Sequence, residues 1–194
     1  MRIRILGLAA LVLPLALGAQ QPAATPPANP ITASFQAFAT RYGNWLTAAF
    51  DSIPASKYGF KPTPAQQSVG YIAQHLENAN YQLCSLFGGV PATMTAKDSL
   101  ADTVKAMWPK DTLVARLKAS LQFCDAALKR VDDAKLADQV SAGPPGQTRM
   151  VPRARFALAY VTDLVDHWSQ IANYMRLNGM LPPSALPRPG RGGY

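Results

Sequence analysis

The stretch Arg153-Ala-Arg-Phe-Ala-Leu-Ala-Tyr-Val-Thr-Asp-Leu-Val-Asp-His-Trp-Ser-Gln-Ile-Ala-Asn-Tyr-Met-Arg-Leu177 decides how this chain of 194 residues is read. It contains no proline, opens after Pro152 and runs to Gly179 and Pro182-Pro183. Those are helix start and stop signals. Phe156, Tyr160, Asp163, His167, Ile171 and Tyr174 recur every three or four residues, so they share one helix face. A face that should be wholly apolar carries an aspartate and a histidine. They are four residues apart, about 40° around the helix and one turn along it.

The rest of the chain follows the same punctuation. Proline in a helix interior costs about 3 kcal/mol, so proline-free windows mark where helices can lie. These windows are 31–53, 65–90, 92–108, 110–143 and 153–181. The first places Phe35, Phe38, Tyr42, Trp45 and Ala49 on one face, with Ser34 or Thr32 as cap. The second starts at the N-cap Ser68, aligns Ile72, Leu76, Ala79, Leu83 and Leu86, and stops at Gly88-Gly89. The third holds loop and a short helix. The fourth begins at an N-cap Asp111, aligns Leu113, Leu117, Leu121, Cys124 and Leu128, frays near Asp132-Asp133, and meets a loop at Gly143-Pro144-Pro145-Gly146. No strand pair with a hairpin turn is evident. The pattern predicts an all-α four-helix bundle over 31–183 with a longer connection between the second and third long helices.

The ends read differently. Met-Arg-Ile-Arg followed by an apolar run to Ala19 has the three regions of a secretory signal, cleaved after Gly18 or Ala19. The run is short of the ~20 residues of a transmembrane span. Residues 20–30 form a Pro/Ala-rich linker, and residues 184–194 a disordered basic tail. The expected address is secreted or periplasmic, with no membrane span after cleavage. Loss of Arg2 and Arg4 lowers the net charge from +8 to +6. The remaining charge is scattered and lacks the dense basic face, interleaved with aromatics, that nucleic acid requires. Arg149, Arg153 and Arg155 cluster near the start of the last helix, which is the wrong end for its dipole. They read as a solvated loop or as an attractor of an anionic ligand.

The only two histidines, His75 and His167, both fall where bundle helices face their neighbours. His75, Asp163 and His167 together have the donor set of a facial site for zinc, nickel or iron. The same residues also suit a structural ion pair and hydrogen-bond network. Ten Asp and a single Glu, Glu77, exclude a di-iron carboxylate bundle, which needs several Glu. No G-x-S-x-G, G-x-G-x-x-G, P-loop or H-E-x-x-H is present. Two cysteines in an exported chain suggest a disulfide between Cys84 and Cys124, with two buried free thiols as the alternative. Cys84 lies nine residues from His75, about 180° around the helix, and is badly placed to share a metal with it.

Two segments resemble the DinB-like family of damage-inducible proteins, four-helix bundles related to low-molecular-weight thiol transferases. Ser68-Val69-Gly70-Tyr71-Ile72-Ala73-Gln74-His75-Leu76 is similar to the family's entry into its second helix. Asp166-His167-Trp168-Ser169-Gln170, continuing from Tyr174 to Pro183, resembles its terminal motif. The likeness spans about 32–183. It implies metal ligands at His75 and His167, with Asp163 where the family usually has a third histidine. Trp168-Ser169 replaces the usual Arg-Gly. The implied activity is a divalent-metal-dependent transferase or hydrolase acting on a small molecule. Family members that use cytosolic thiols as cosubstrates would be out of step with an exported chain. Tyr160, Gln170 and Tyr174 are candidates for residues supporting the ligands, because they share the stripe. A non-catalytic bundle that binds a small ligand or a protein partner is the alternative, and a homodimer is compatible with either.

Overall fold

A computed structural model describes residues 27–144 and 146–187. The expected signal peptide, most of the linker and most of the basic tail therefore lie outside the described residues. Four long helices form the bundle: α1 (Pro30–Ser52), α2 (Val69–Gly88), α4 (Lys110–Leu128) and α5 (Arg153–Leu177), with a single-turn α3 (Asp102–Lys105) before α4. Helix α2 packs against α4 and α5, and α1 against the same two, so α1 and α2 occupy opposite corners. Among the described residues, no helix is long and apolar enough to cross a membrane.

Helix α2 behaves as its sequence predicts. The Ser68 hydroxyl accepts a hydrogen bond from the Tyr71 backbone N–H at 3.2 Å, and Gly89, at φ 65°, closes the far end. Helix α5 likewise opens after Pro152 and ends before Gly179, but the starts of α1 and α4 shift. Helix α1 starts at Pro30, ahead of the expected caps Thr32 and Ser34, because its first turn is capped from elsewhere in the chain. The Asp133 carboxylate accepts the backbone N–H groups of Ile31 (3.0 Å) and Thr32 (2.8 Å) and the Thr32 hydroxyl (2.8 Å). Helix α4 begins after Pro109, which leaves Asp111 inside its first turn and not at the cap.

Packing also rotates α1 from its expected face. Thr32, Ala39, Gly43, Leu46, Ala49 and Phe50 are buried, while Phe38 is exposed. The small residues let α1 approach its neighbours closely. The aromatic residues form a rim instead, with Tyr42 edge-on to Trp45 (5.2 Å between centroids) and Trp45 against Trp168 (5.2 Å).

The connection from α4 to α5 contains an antiparallel hairpin where no strand pair was expected. β1 (Gln139–Ala142) pairs with β2 (Arg149–Pro152), with Val140 opposite Val151. Its turn uses Gly143 (φ 128°) and Gly146 (φ 79°), conformations that glycine adopts without strain. Each strand has only four residues, too few for a clear alternation, and only Val151 is buried. The hairpin is therefore held by its neighbours. Arg153, just after it, is neither a solvated loop residue nor free to attract an anion. It donates to the Phe87 carbonyl at the end of α2 and lies 3.7 Å from Asp138. Arg149 and Arg155 are exposed.

A disulfide joins Cys84 of α2 to Cys124 of α4 across a sequence separation of 40, and both residues are fully buried. Closing a loop of that length contributes about 4 kcal/mol in the chain-entropy picture. Replacing both cysteines by alanine should lower stability by about 2–4 kcal/mol, read from urea midpoints. An unchanged midpoint would refute this role.

The Asp133 cap gives a pH signature. Desolvation pushes its carboxyl upward, but the hydrogen bonds from Ile31 and Thr32 outweigh it and hold the group below the usual carboxylate range. The contribution is therefore present above the unfolded value near 3.9 and is lost as pH falls through the lower folded value. Amide exchange at Ile31 and Thr32 should accelerate in that acid window, and in Asp133→Ala at every pH. Equal protection in wild type and variant would dismiss the cap.

Candidate metal centre

The three polar residues singled out in the sequence meet at the seam between α2 and α5. His75 comes from the second turn of α2. Asp163 and His167 come from successive turns of α5. Asp163 Oδ1 lies 3.7 Å from His75 Nε2 and 3.5 Å from His167 Nε2. The two imidazole centroids are 4.8 Å apart with the rings inclined at 65°. One donor atom from each residue falls within 4.8 Å of the others.

Burial is graded across the trio. The His167 side chain is 7% exposed, Asp163 24% and His75 36%, so the group opens to solvent on the His75 side. Burial alone would raise the Asp163 carboxyl. Contacts from His167 and His75 override that and hold it at about 2, so the group is a carboxylate at neutral pH. His75 moves the other way. Its contact with Asp163 raises it above the ordinary imidazole value, against the lowering effect of burial.

Two atoms of the trio are left over. Asp163 Oδ2 and His167 Nδ1 are buried and have no hydrogen-bond partner among the described residues. They are not the atoms that converge, which are Asp163 Oδ1 and the two Nε2 atoms, so the case for a ligand rests on the donor set itself. The donor set suits a divalent ion, since neutral imidazoles and a carboxylate are ordinary ligands of zinc, nickel and iron. Donor atoms around a tetrahedral ion with bonds of this kind are about 3.4 Å apart. Both His–Asp separations approach that value, while the two imidazoles stand wider.

The supporting residues suggested by the stripe do not gather at this centre. Tyr160 is buried against Phe87, with ring centroids 5.7 Å apart. Gln170 donates to Asp166 at 2.9 Å, and Tyr174 donates to the Gln67 carbonyl at 3.1 Å. A shared stripe carries residues over several turns, and two turns of helix separate Tyr160 from His167.

The neighbours that do order α2 near His75 are polar residues the stripe could not reveal. Asn78 donates to Asp102 at 3.1 Å, and the buried Lys105 ammonium donates to Asn78 at 3.0 Å. Asp102 also adds to the upward shift of His75. Glu77, the only glutamate, is buried and accepts from Arg116 Nε at 2.9 Å. Arg116 also pairs with Asp98 and stacks on Trp108 at 4.9 Å. The lone glutamate is thus committed to an ion pair between α2 and α4. The available signal was its position, next to the apolar Leu76 on α2.

The DinB superfamily model matches residues 40–171, a span that contains all three residues of the trio. The chain belongs to the DinB superfamily. Among solved structures, a DinB-like protein from Bacillus cereus is 17% identical, with a TM-score of 0.60, covering 79% of this chain and 97% of that one. A conserved protein from Enterococcus faecalis is 16% identical, with a TM-score of 0.59, covering 76% of this chain and 96% of that one. A mycothiol-dependent maleylpyruvate isomerase is 14% identical, with a TM-score of 0.57, covering 72% of this chain but only 60% of the isomerase. At these identities the likeness establishes the DinB bundle and leaves the chemistry to the residues. No curated protein matches the sequence.

Among the described residues, Asp163 is the one acidic partner that either histidine contacts. Removing it in Asp163→Ala strips His167 of that contact inside the bundle and should destabilise the metal-free protein by about 1–3 kcal/mol. Denaturant unfolding in the presence of chelator measures this. A neutral result would mean that the trio is not held together by its carboxylate.

Proposed function

We propose that this DinB-superfamily protein binds one divalent metal ion through His75, Asp163 and His167 and acts on a small molecule as a metal-dependent transferase or hydrolase. The observation that carries the proposal is the convergence of three donors from two helices, with Asp163 Oδ1 facing the Nε2 atoms of both histidines. A bound ion would act as a Lewis acid or lower the pKa of coordinated water. The chain's own part is positional. Helix α5 fixes Asp163 and the buried His167 one turn apart, and α2 supplies His75 at the solvent-facing edge, where a substrate has access.

Asp163, in place of the family's usual histidine, adds a negative charge to the ligand set and shifts it toward harder ions than three imidazoles would hold. We further propose that the protein works after export. The signal-like residues 1–19 support this, as does a buried disulfide of the kind that persists in oxidising compartments. Such a location disfavours an abundant cytosolic thiol as cosubstrate. One observation favours the non-catalytic alternative: Asp163 contacts both histidines, so the trio is also a self-contained structural network.

Metal content separates the two readings. Protein purified from an oxidising compartment should carry close to one equivalent of zinc, nickel or iron. His75→Ala and His167→Ala should each lose at least tenfold in affinity. A wild type that neither carries nor takes up any of these ions refutes the metal centre.

A further inference from the structure

A second feature lies away from the trio, in the groove between α1 and α4. It encloses about 460 Å³, a volume suited to a small molecule. Ala39, Gly43, Leu121 and Leu128 give it an apolar floor, and Tyr160 reaches it from α5. The Tyr160 ring packs against Phe87 of α2 while the residue lines this groove.

Tyr160 is the informative residue. It is 2% exposed, yet its hydroxyl makes no hydrogen bond among the described residues. The side chain that carries this hydroxyl lines the cavity. A buried phenol ordinarily finds a partner for its hydroxyl. Here the free position is the cavity itself.

The walls define what would fit. Gln36, Thr40, Asn44, Thr47 and Gln122 line the groove with uncharged amides and hydroxyls, none of them engaged in a side-chain hydrogen bond among the described residues. The two charged lining residues each face an opposite charge in an exposed surface pair. Asp125 pairs with Lys129 at 2.6 Å and Lys118 with Asp51 at 2.8 Å. Amides and hydroxyls both donate and accept, which matches a ligand whose own hydroxyls do the same.

We infer that the α1/α4 groove is a binding site, separate from the His75–Asp163–His167 centre, for an uncharged polyhydroxylated small molecule of the saccharide class, with the Tyr160 hydroxyl as its buried anchor. The inference is independent of metal binding. His75→Ala should therefore bind such a ligand as wild type does.

Titration calorimetry and saturation-transfer NMR on the full, disulfide-bonded chain test it, with glucose and maltose as neutral probes and gluconate and glucosamine as charged ones. The neutral sugars should bind saturably and more tightly than either charged probe. Tyr160→Phe, which deletes only the hydroxyl, should weaken binding about three- to tenfold. Asn44→Trp, a solvent-exposed position on the groove wall, should abolish binding while the protein stays folded. Absence of saturable binding by both neutral sugars overturns the inference. So does equal binding of a charged probe, or binding that neither substitution alters.

Discussion

The structure depends on the rotation of α2 about its own axis. Cys84 and His75 lie on nearly opposite sides of that helix, about 180° apart by their spacing. Helix α2 has one neighbour for each: α4, which receives Cys84 through the disulfide to Cys124, and α5, which presents Asp163 and His167 to His75. A twist that broke the alignment on one side would break it on the other. The disulfide therefore does more than shorten the unfolded chain, because it fixes the angle at which a histidine meets its partners. Ser68 at one end of α2, and Gly89 with Arg153 at the other, hold the same helix in its axial position.

Polar residues in the interior fall into two kinds. Glu77 with Arg116, and Asn80 with Ser120 at 2.9 Å, are paired groups that fasten α2 to α4. Lys105 is buried too, but its ammonium has Asn78 and Asp102 to meet. Among the described residues Asp163 Oδ2, His167 Nδ1, Asn80 Oδ1 and Arg153 Nε are buried without a partner, so a missing partner by itself does not separate site from scaffold. Burying such an atom costs free energy unless something bonds to it. What sets Asp163 and His167 apart is their company: Asn80 and Arg153 bond into the scaffold through another atom, whereas Asp163 and His167 converge with a third donor, His75.

Much of this was legible in the sequence. Proline-free windows located the four long helices, and a period of three to four residues brought His167 and Asp163 to one face. The only two histidines were traced to the seam they occupy. Two cysteines in a chain read as exported favoured a Cys84–Cys124 disulfide over two free thiols, and the disulfide is formed. Less legible was anything that depends on residues far apart in the chain. The start of α1 is set by Asp133, more than a hundred residues away, so no local signal at Thr32 or Ser34 could reveal it. The buried face of α1 depends on how closely Ala39 and Gly43 allow α4 to approach, and aromatic periodicity pointed to the rim instead. Two four-residue strands carried too little alternation to stand out from a loop.

What the sequence determined by itself is the class of fold and the identity of the residues on each helix face, because helical periodicity and proline exclusion are local and strong. Tertiary structure alone decided the destinations of those residues. Tyr160, Gln170 and Tyr174 share the stripe of His167, yet one lines the α1/α4 groove, one bonds along its own helix, and one ties down the segment before α2. A stripe specifies direction around a helix. Which neighbour stands in that direction changes with every turn, and only the packed bundle sets it.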